Sequence, residues 1–282
     1  MSHVSSSTAG SAPRRRLRPL LAALLLAGGA VAATPASAVV YRSLPLSFSN
    51  GQIGSGPLGT VPGLVTIDLS YTTEHNVLEL RAMPRTSSSF GWDTMTGLFR
   101  DENGDDAYSG TVRWAELETA TDFGEFSSSC GGGLGTCRLI IPKAAPGEVF
   151  ILSGIRFRFT DDDHYISEIA VRPNPVQGYV DVTFTDNSRQ RPFTAEIAWA
   201  YIPSSAVSSL GFHYQSSHSS GSVSFPGSRR VLQGFRVHFD SGDHPLKRFT
   251  IDLNDGVRVR LHDNDMTGDT IGFWVDYVVL AD

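Results

Sequence analysis

Cysteine is scarce in this sequence: Cys130 and Cys137 are the only two in 282 residues. Two thiols cannot staple a small disulfide-rich scaffold, and no cluster of further ligands beside them completes a zinc site. They bracket Gly-Gly-Gly-Leu-Gly-Thr rather than the C-x-x-C spacing of a redox pair. In an oxidising compartment the expectation is a local disulfide between Cys130 and Cys137, closing a loop or hairpin. Also missing after Val39 is any sustained helical period, which leaves no basis for a helical domain. There is no P-loop, no Gly-x-Ser-x-Gly, no His-Glu-x-x-His and no dinucleotide fingerprint, so nothing in the motifs argues for nucleotide, serine-hydrolase or metalloprotease chemistry. A hydrolase built on dispersed carboxylates would leave no such motif and stays open.

One long apolar run is present, near the start. Arg14, Arg15, Arg16 and Arg18 precede the run from Leu20 to Ala33, and Ala36-Ser37-Ala38 follows it. Basic flank, short apolar core and small-residue cleavage site describe a secretory signal peptide over residues 1–38, cut near Ala38, with Sec and twin-arginine export both open. No later segment is apolar over the length a membrane-spanning helix needs, so membrane insertion is not expected and the location is secreted or periplasmic. The 23 basic and 29 acidic residues become 19 and 29 once the four leader arginines are removed, a net charge of −10. That sign disfavours nucleic acid and anionic membrane as partners. Cations or neutral polymers suit it better.

What remains reads as one unit of about 80 residues written three times. Gly154-Ile-Arg-Phe-Arg-Phe159, a turn ending Asp163-His164 and the segment Ile166–Val171 match Gly234-Phe-Arg-Val-His-Phe239, Asp243-His244 and Leu246–Ile251, at a constant offset of 80 from Gly to Gly and His to His. A fainter copy runs Ile67–Tyr71, Glu74-His75 and Val77–Leu80. Repeats of this size are supersecondary units or small domains. Period-two alternation in Ile155-Phe157-Phe159, Val180-Val182-Phe184 and Val257-Val259-Leu261 describes strands with one buried and one wet face. The expected fold is all-β: three tandem antiparallel β-sandwich-like repeats over residues 39–120, 121–206 and 207–282, packed together because each is small.

The units also end alike. Asp101 to Trp114 and Asp186 to Trp199 both span 13 residues, and Asp263 to Tyr277 is one longer, which predicts one hairpin geometry with an aromatic anchor. The strand order, the unit size and the closing Val112-Arg-Trp114-Ala115 and Ile197-Ala-Trp199-Ala200 resemble H-type lectin domains. That resemblance implies six-stranded antiparallel sandwiches that commonly form trimers and bind sugars such as N-acetylgalactosamine. Copy three departs from it with Tyr277-Val278, and no sugar-contacting position carries over. Three fused copies would imitate a trimer in one chain.

Candidate ligand-binding residues are His75, Asp163, His164, Asp243 and His244 at the recurring turn, with Trp92 and Trp274 as rings able to stack on sugar. Acid–His pairs suit cations and sugar hydroxyls, or simply cap a turn, and recurrence fits both readings. Trp274 neighbours Phe273, so one of the two must face outward or into an interface. The loops carrying Asp101, Asn103, Asp105 and Asp106, and Asp263, Asp265 and Asp269, gather the hard oxygens calcium prefers, or are plain turn chemistry. The corresponding loop in copy two carries Arg189 and Arg191 and is a poor cation site. No nucleophile recurs beside the histidines, so catalysis is not the expectation. The reading is an exported binding protein for a glycan or cell-surface polysaccharide, with calcium as the candidate cofactor and self-association possible. A structural or adhesive repeat protein and a glycan-active hydrolase are the alternatives.

Overall fold

The computed structural model describes residues 39–49, 51–86, 91–102, 106–131, 135–186, 188, 191–218, 221–223, 229–240, 242–263 and 270–281. The signal-peptide expectation for residues 1–38 lies outside them, as do Asn103, Asp105, Asp265 and Asp269. Among the described residues no helix is long and apolar enough to cross a membrane.

The chain is all-β. The first six strands are β1 (Tyr41–Phe48), β2 (Gly54–Pro57), β3 (Pro62–His75), β4 (Glu79–Arg85), β5 (Thr94–Arg100) and β6 (Tyr108–Glu116). The next six are β7 (Asp122–Cys130), β8 (Thr136–Ile140), β9 (Glu148–Phe159), β10 (Glu168–Asn174), β11 (Tyr179–Thr185) and β12 (Phe193–Pro203). A 3-10 turn at Ser204–Ala206 leads to β13 (Val207–His218), β14 (Gly221–Val223), β15 (Arg230–Phe239), β16 (Leu246–Asp252), β17 (Val257–His262) and β18 (Ile271–Leu280). The alternating segments behave as their pattern requires: Val180, Val182 and Phe184 are buried along β11, and Val257, Val259 and Leu261 along β17.

These strands form three antiparallel six-stranded sheets. The first has the order β1-β6-β3-β16-β17-β14, the second β2-β5-β4-β9-β12-β7 and the third β13-β18-β15-β10-β11-β8. Each consecutive set of six strands places three in one sheet and three in another, and every sheet joins halves from two sets. β16 pairs with β3, β4 with β9 and β10 with β15 at the three junctions. The inner faces share one continuous apolar core, containing Ile67, Phe99, Phe157, Phe184, Phe235 and Phe249.

One expectation needs correction. The equal 13-residue intervals do not mark hairpins, because β5 pairs with β2 and β4 while β6 pairs with β1 and β3. The interval spans a crossing from one sheet to another. The aromatic anchors themselves are buried: Trp114, Trp199 and Tyr277. Opposite each, the pairing skips one residue, at Val65, Ser153 and Gln233. An extra residue of this kind bends its strand and raises local twist, and here it recurs beside each large ring.

The disulfide joins Cys130 at the end of β7 to Cys137 in β8, with Cα atoms 5.4 Å apart. Because β7 is an edge of the second sheet and β8 an edge of the third, the bond ties two sheets together.

Candidate functional site

The three acid–His turns lie on the junctions between strand sets. His164 exchanges two backbone hydrogen bonds with Val77, at 2.9 and 3.2 Å, and His244 does the same with Ile166, at 2.9 and 3.0 Å. His75, at the end of β3, pairs with Leu246. Val77, Ile166 and Leu246 are fully buried. Each imidazole also packs on an aromatic ring: His75 on Tyr71 at 4.9 Å, His164 on Phe159 at 4.8 Å and His244 on Phe239 at 4.4 Å. Carboxylates fix the ring edges, with His75 Nδ1 2.9 Å from Asp106, His164 Nε2 3.1 Å from Asp161 and His244 Nδ1 3.2 Å from Asp263. Asp163 reaches across the same seam, accepting from Asn76 Nδ2 at 3.3 Å and from the Glu102 amide at 3.2 Å. Asp243 is half-buried beside His244. These contacts give the recurring turn a joining role.

Two groups of ligand-type side chains converge near the first seam. His75, Asp101 and Asp106 have donor atoms within 4.8 Å of one another, as do Glu102, Asp162 and Asp163. The Glu102 carboxyl is pushed above its ordinary pKa, first by its hydrogen bond with Asp162 and then by the charge of that group. One imidazole and two carboxylates fall short of the six to eight oxygens calcium takes. In the second strand set Asp186 accepts from Ser188 Oγ at 2.7 Å and from Arg191 Nε at 3.4 Å, so a guanidinium stands near a cation position.

A different feature distinguishes the outer face of the third sheet. Phe212 and Tyr214, alternate residues of edge strand β13, are 75% and 63% exposed, and Leu210 is 62% exposed. The register sets Tyr214 opposite Trp274, which is opposite Arg236, and sets Phe212 opposite Asp276, which is opposite Gly234. Directly paired residues share a sheet face. Three rings therefore surround one carboxyl, with no side chain on its far side at Gly234. Asp276 is half-buried, has no hydrogen bond or ion pair among the described residues, and burial pushes its pKa up. Trp274 faces this surface while its neighbour Phe273 is buried.

The pattern along β13 runs against ordinary alternation, since its apolar residues face out. Gly211 explains the inversion. A Cβ there would lie 2.4 Å from the Tyr277 ring, so that ring occupies the inward space next to β13. The inward positions take the half-buried Gly211, His213 and Gln215, and Leu210, Phe212 and Tyr214 are left in solvent. Sequence reasoning named Trp274 but missed Phe212, Tyr214 and Asp276. Only the register across three strands brings them together.

The aromatics do not recur. The strand position opposite the residue before the closing aromatic is Ser43 in β1, Glu125 in β7 and Phe212 in β13, and the position two residues on is Pro45, Ser127 and Tyr214. A requirement of the fold would appear in all three. Trp92, the other ring singled out, is half-buried and packs on Phe123 at 5.1 Å. No family model and no curated protein matches this chain in sequence.

Proposed function

We propose that this is an exported, non-enzymatic carbohydrate-binding protein whose sugar site is the outer face of the third sheet. The observation that carries the reading is the exposed Phe212 and Tyr214 beside Trp274 and Asp276. Ring faces stack on the CH faces of pyranoses, and an unpaired carboxylate accepts from the hydroxyls at a sugar's rim. This surface is single, so avidity from three equivalent sites is not part of the proposal. The lectin-like character suggested by the closing aromatic strands is kept on the same footing.

The test is a glycan array with the mature protein, repeated with Tyr214→Ala and Phe212→Ser. Removing a central stacking ring costs about 2 kcal/mol, or roughly thirtyfold in affinity. Wild-type signal lost in both variants, with unchanged melting, supports the proposal. Signal unchanged in both overturns it.

A second reading draws on the same strand. β13 is an edge twelve residues long carrying three exposed apolar side chains. Such an edge can accept a strand from another copy, as an adhesive or structural protein would use it. Sedimentation separates the readings: concentration-dependent self-association abolished by Phe212→Ser, without glycan signal, favours the adhesive role.

A further inference from the structure

The outer face of the second sheet has the opposite electrostatic character to the molecule as a whole. The chain carries a formal net charge of −6. Yet register places Ser127, Glu196, Arg156 and Arg81 in one row across β7, β12, β9 and β4. The next row is Ser129, Thr194, Arg158, Glu79 and Arg100. With Arg85, bonded to Glu196 at 2.8 Å, the face holds five guanidiniums against Glu79, Glu125 and Glu196.

Four of these arginines are anchored. Glu79, fully buried, accepts from Arg81 and Arg156 at 2.6 Å and from Arg100 at 3.3 Å, and Glu196 accepts from Arg85 and Arg156. The fifth is not. Arg158 is exposed, and its guanidinium has no hydrogen-bond or ion-pair partner among the described residues. It opens onto a groove of about 500 Å³ lined also by Ser127, Ser129, Thr194, Arg156 and Glu196. Arg81, itself buried, leaves its Nε without a partner, as does Arg100. Burial holds the Arg81 guanidinium below its usual pKa against the opposing charge of Glu79, with Arg156 and Arg85 acting in the same direction as burial.

The fold does not require this cationic set. The position of Arg158 is taken by His238 and Ser70 at the other two junctions, that of Arg81 by Ala170 and Thr250, and that of Arg100 by Thr185 and His262. The chain has only two lysines, Lys143 and Lys247, so its cations are nearly all the planar, bidentate kind that matches oxyanions. Hydroxyls of Ser127, Ser129 and Thr194 beside Arg158 supply further donors to such a group.

We propose that this groove binds the carboxylate or sulfate groups of an acidic polysaccharide. The site is separate from the third-sheet platform and stands without it. The repeating anion of such a polymer fits the exposed Arg158 and the half-buried Arg156 and Arg100 beside it, and its sugar hydroxyls fit the Ser and Thr rim.

The experiment is binding of the mature protein to polygalacturonate and to dextran sulfate, with neutral dextran and polythymidylate alongside, at about 50 mM and about 200 mM salt. The expected result is binding of one or both acidic polysaccharides that weakens as salt rises, no Arg158-dependent binding of dextran, and a loss of at least about tenfold for the acidic polymers in Arg158→Glu. Which of the two binds tells carboxylate from sulfate. Arg158 is exposed, so its variant should melt as wild type, and Ser129→Ala provides a second, uncharged perturbation with a smaller loss. Tyr214→Ala should bind these polymers normally, which keeps this outcome distinct from that of the sugar platform. Absence of acidic-polysaccharide binding at low salt, wild-type affinity in Arg158→Glu, or polythymidylate bound as tightly as either polysaccharide would overturn the proposal.

Discussion

Two carboxyls show how single residues set stability and binding here, and their pKa values move in opposite directions. Burial alone would push the Glu79 carboxyl up. The hydrogen bond from Arg156 and the fields of Arg81, Arg156 and Arg100 outweigh it and hold the carboxyl below its ordinary value. A depressed carboxyl contributes stability that is complete above the unfolded pKa of about 4.3 and is lost as pH falls through the lower folded value. Glu79→Gln leaves buried guanidiniums uncompensated and should cost about 3–5 kcal/mol at neutral pH. Urea titrations should show the gap between variant and wild type narrowing in acid; a gap that stays constant through that range would rule out the ionised hub as its source. Asp276 is the reverse case, its pKa raised by burial with no compensating partner. Its ionisation opposes folding, so stability falls as pH rises through the folded value. Asp276→Asn should therefore melt higher than wild type at neutral pH, converge with it in acid, and lose glycan signal. A variant that melts lower at neutral pH would show that the carboxylate has a stabilising partner.

Strand character was the most legible level of the sequence. Alternation at Val180-Val182-Phe184 and Val257-Val259-Leu261 fixed both the strand type and the buried face, because a period of two has one solution on a half-buried sheet. Sheet membership was not legible. Alternation says which side of a strand faces the core but not which strand lies beside it, so the crossing between β5 and β6 read as a hairpin. β13 misleads for another reason: Leu210, Phe212 and Tyr214 have the inward pattern, and Gly211 with Tyr277 reverses it. The cationic groove was illegible because Arg156 and Arg158 of β9 lie far in sequence from Arg81 of β4 and Arg100 of β5. The disulfide was legible from the close spacing of Cys130 and Cys137, though not its task of tying edge β7 to edge β8. Closing a loop of this length restricts the unfolded chain by about 2–3 kcal/mol. Cys130→Ser/Cys137→Ser should lower stability by that amount, with exchange of amide hydrogens faster in β7 and β8 than in the central strands. Uniformly faster exchange would contradict a local role for the bridge.

At the scale of the whole molecule, the faintness of the first copy has a physical cause in how the three sheets close. Gly154 and Gly234, signatures of the clear copies, are required by contact: an added Cβ would lie 2.4 Å from Pro84 Cδ and 2.7 Å from Pro173 Cδ. The corresponding residue at the third junction is Thr66, whose hydroxyl donates to Asp252 at 2.7 Å. The ion pair across each junction is rebuilt in the same way. Arg156 of β9 bonds Glu79 of β4 at 2.6 Å, and Arg236 of β15 bonds Glu168 of β10 at 2.9 Å. At the closing junction the signs are exchanged, with Asp68 on β3 and Arg248 on β16, bonded at 2.9 and 2.7 Å. A misplaced β3 would set Asp68 against Glu79 or Glu168, and a misplaced β16 would set Arg248 against Arg156 or Arg236. Only the observed ring order satisfies all three pairs, a specification by repulsion as well as attraction. Arg248→Glu should lose about 1–3 kcal/mol, because it faces Asp68 with a second acid. Adding Asp68→Arg should recover most of that loss while giving the third junction the same polarity as the others. The double variant should then be nearly as stable as wild type yet refold from urea in lower yield, with more misassembled species by size exclusion. Refolding as clean as wild type would mean that chain connectivity alone orders the sheets, and that the exchanged charges serve only the local pair.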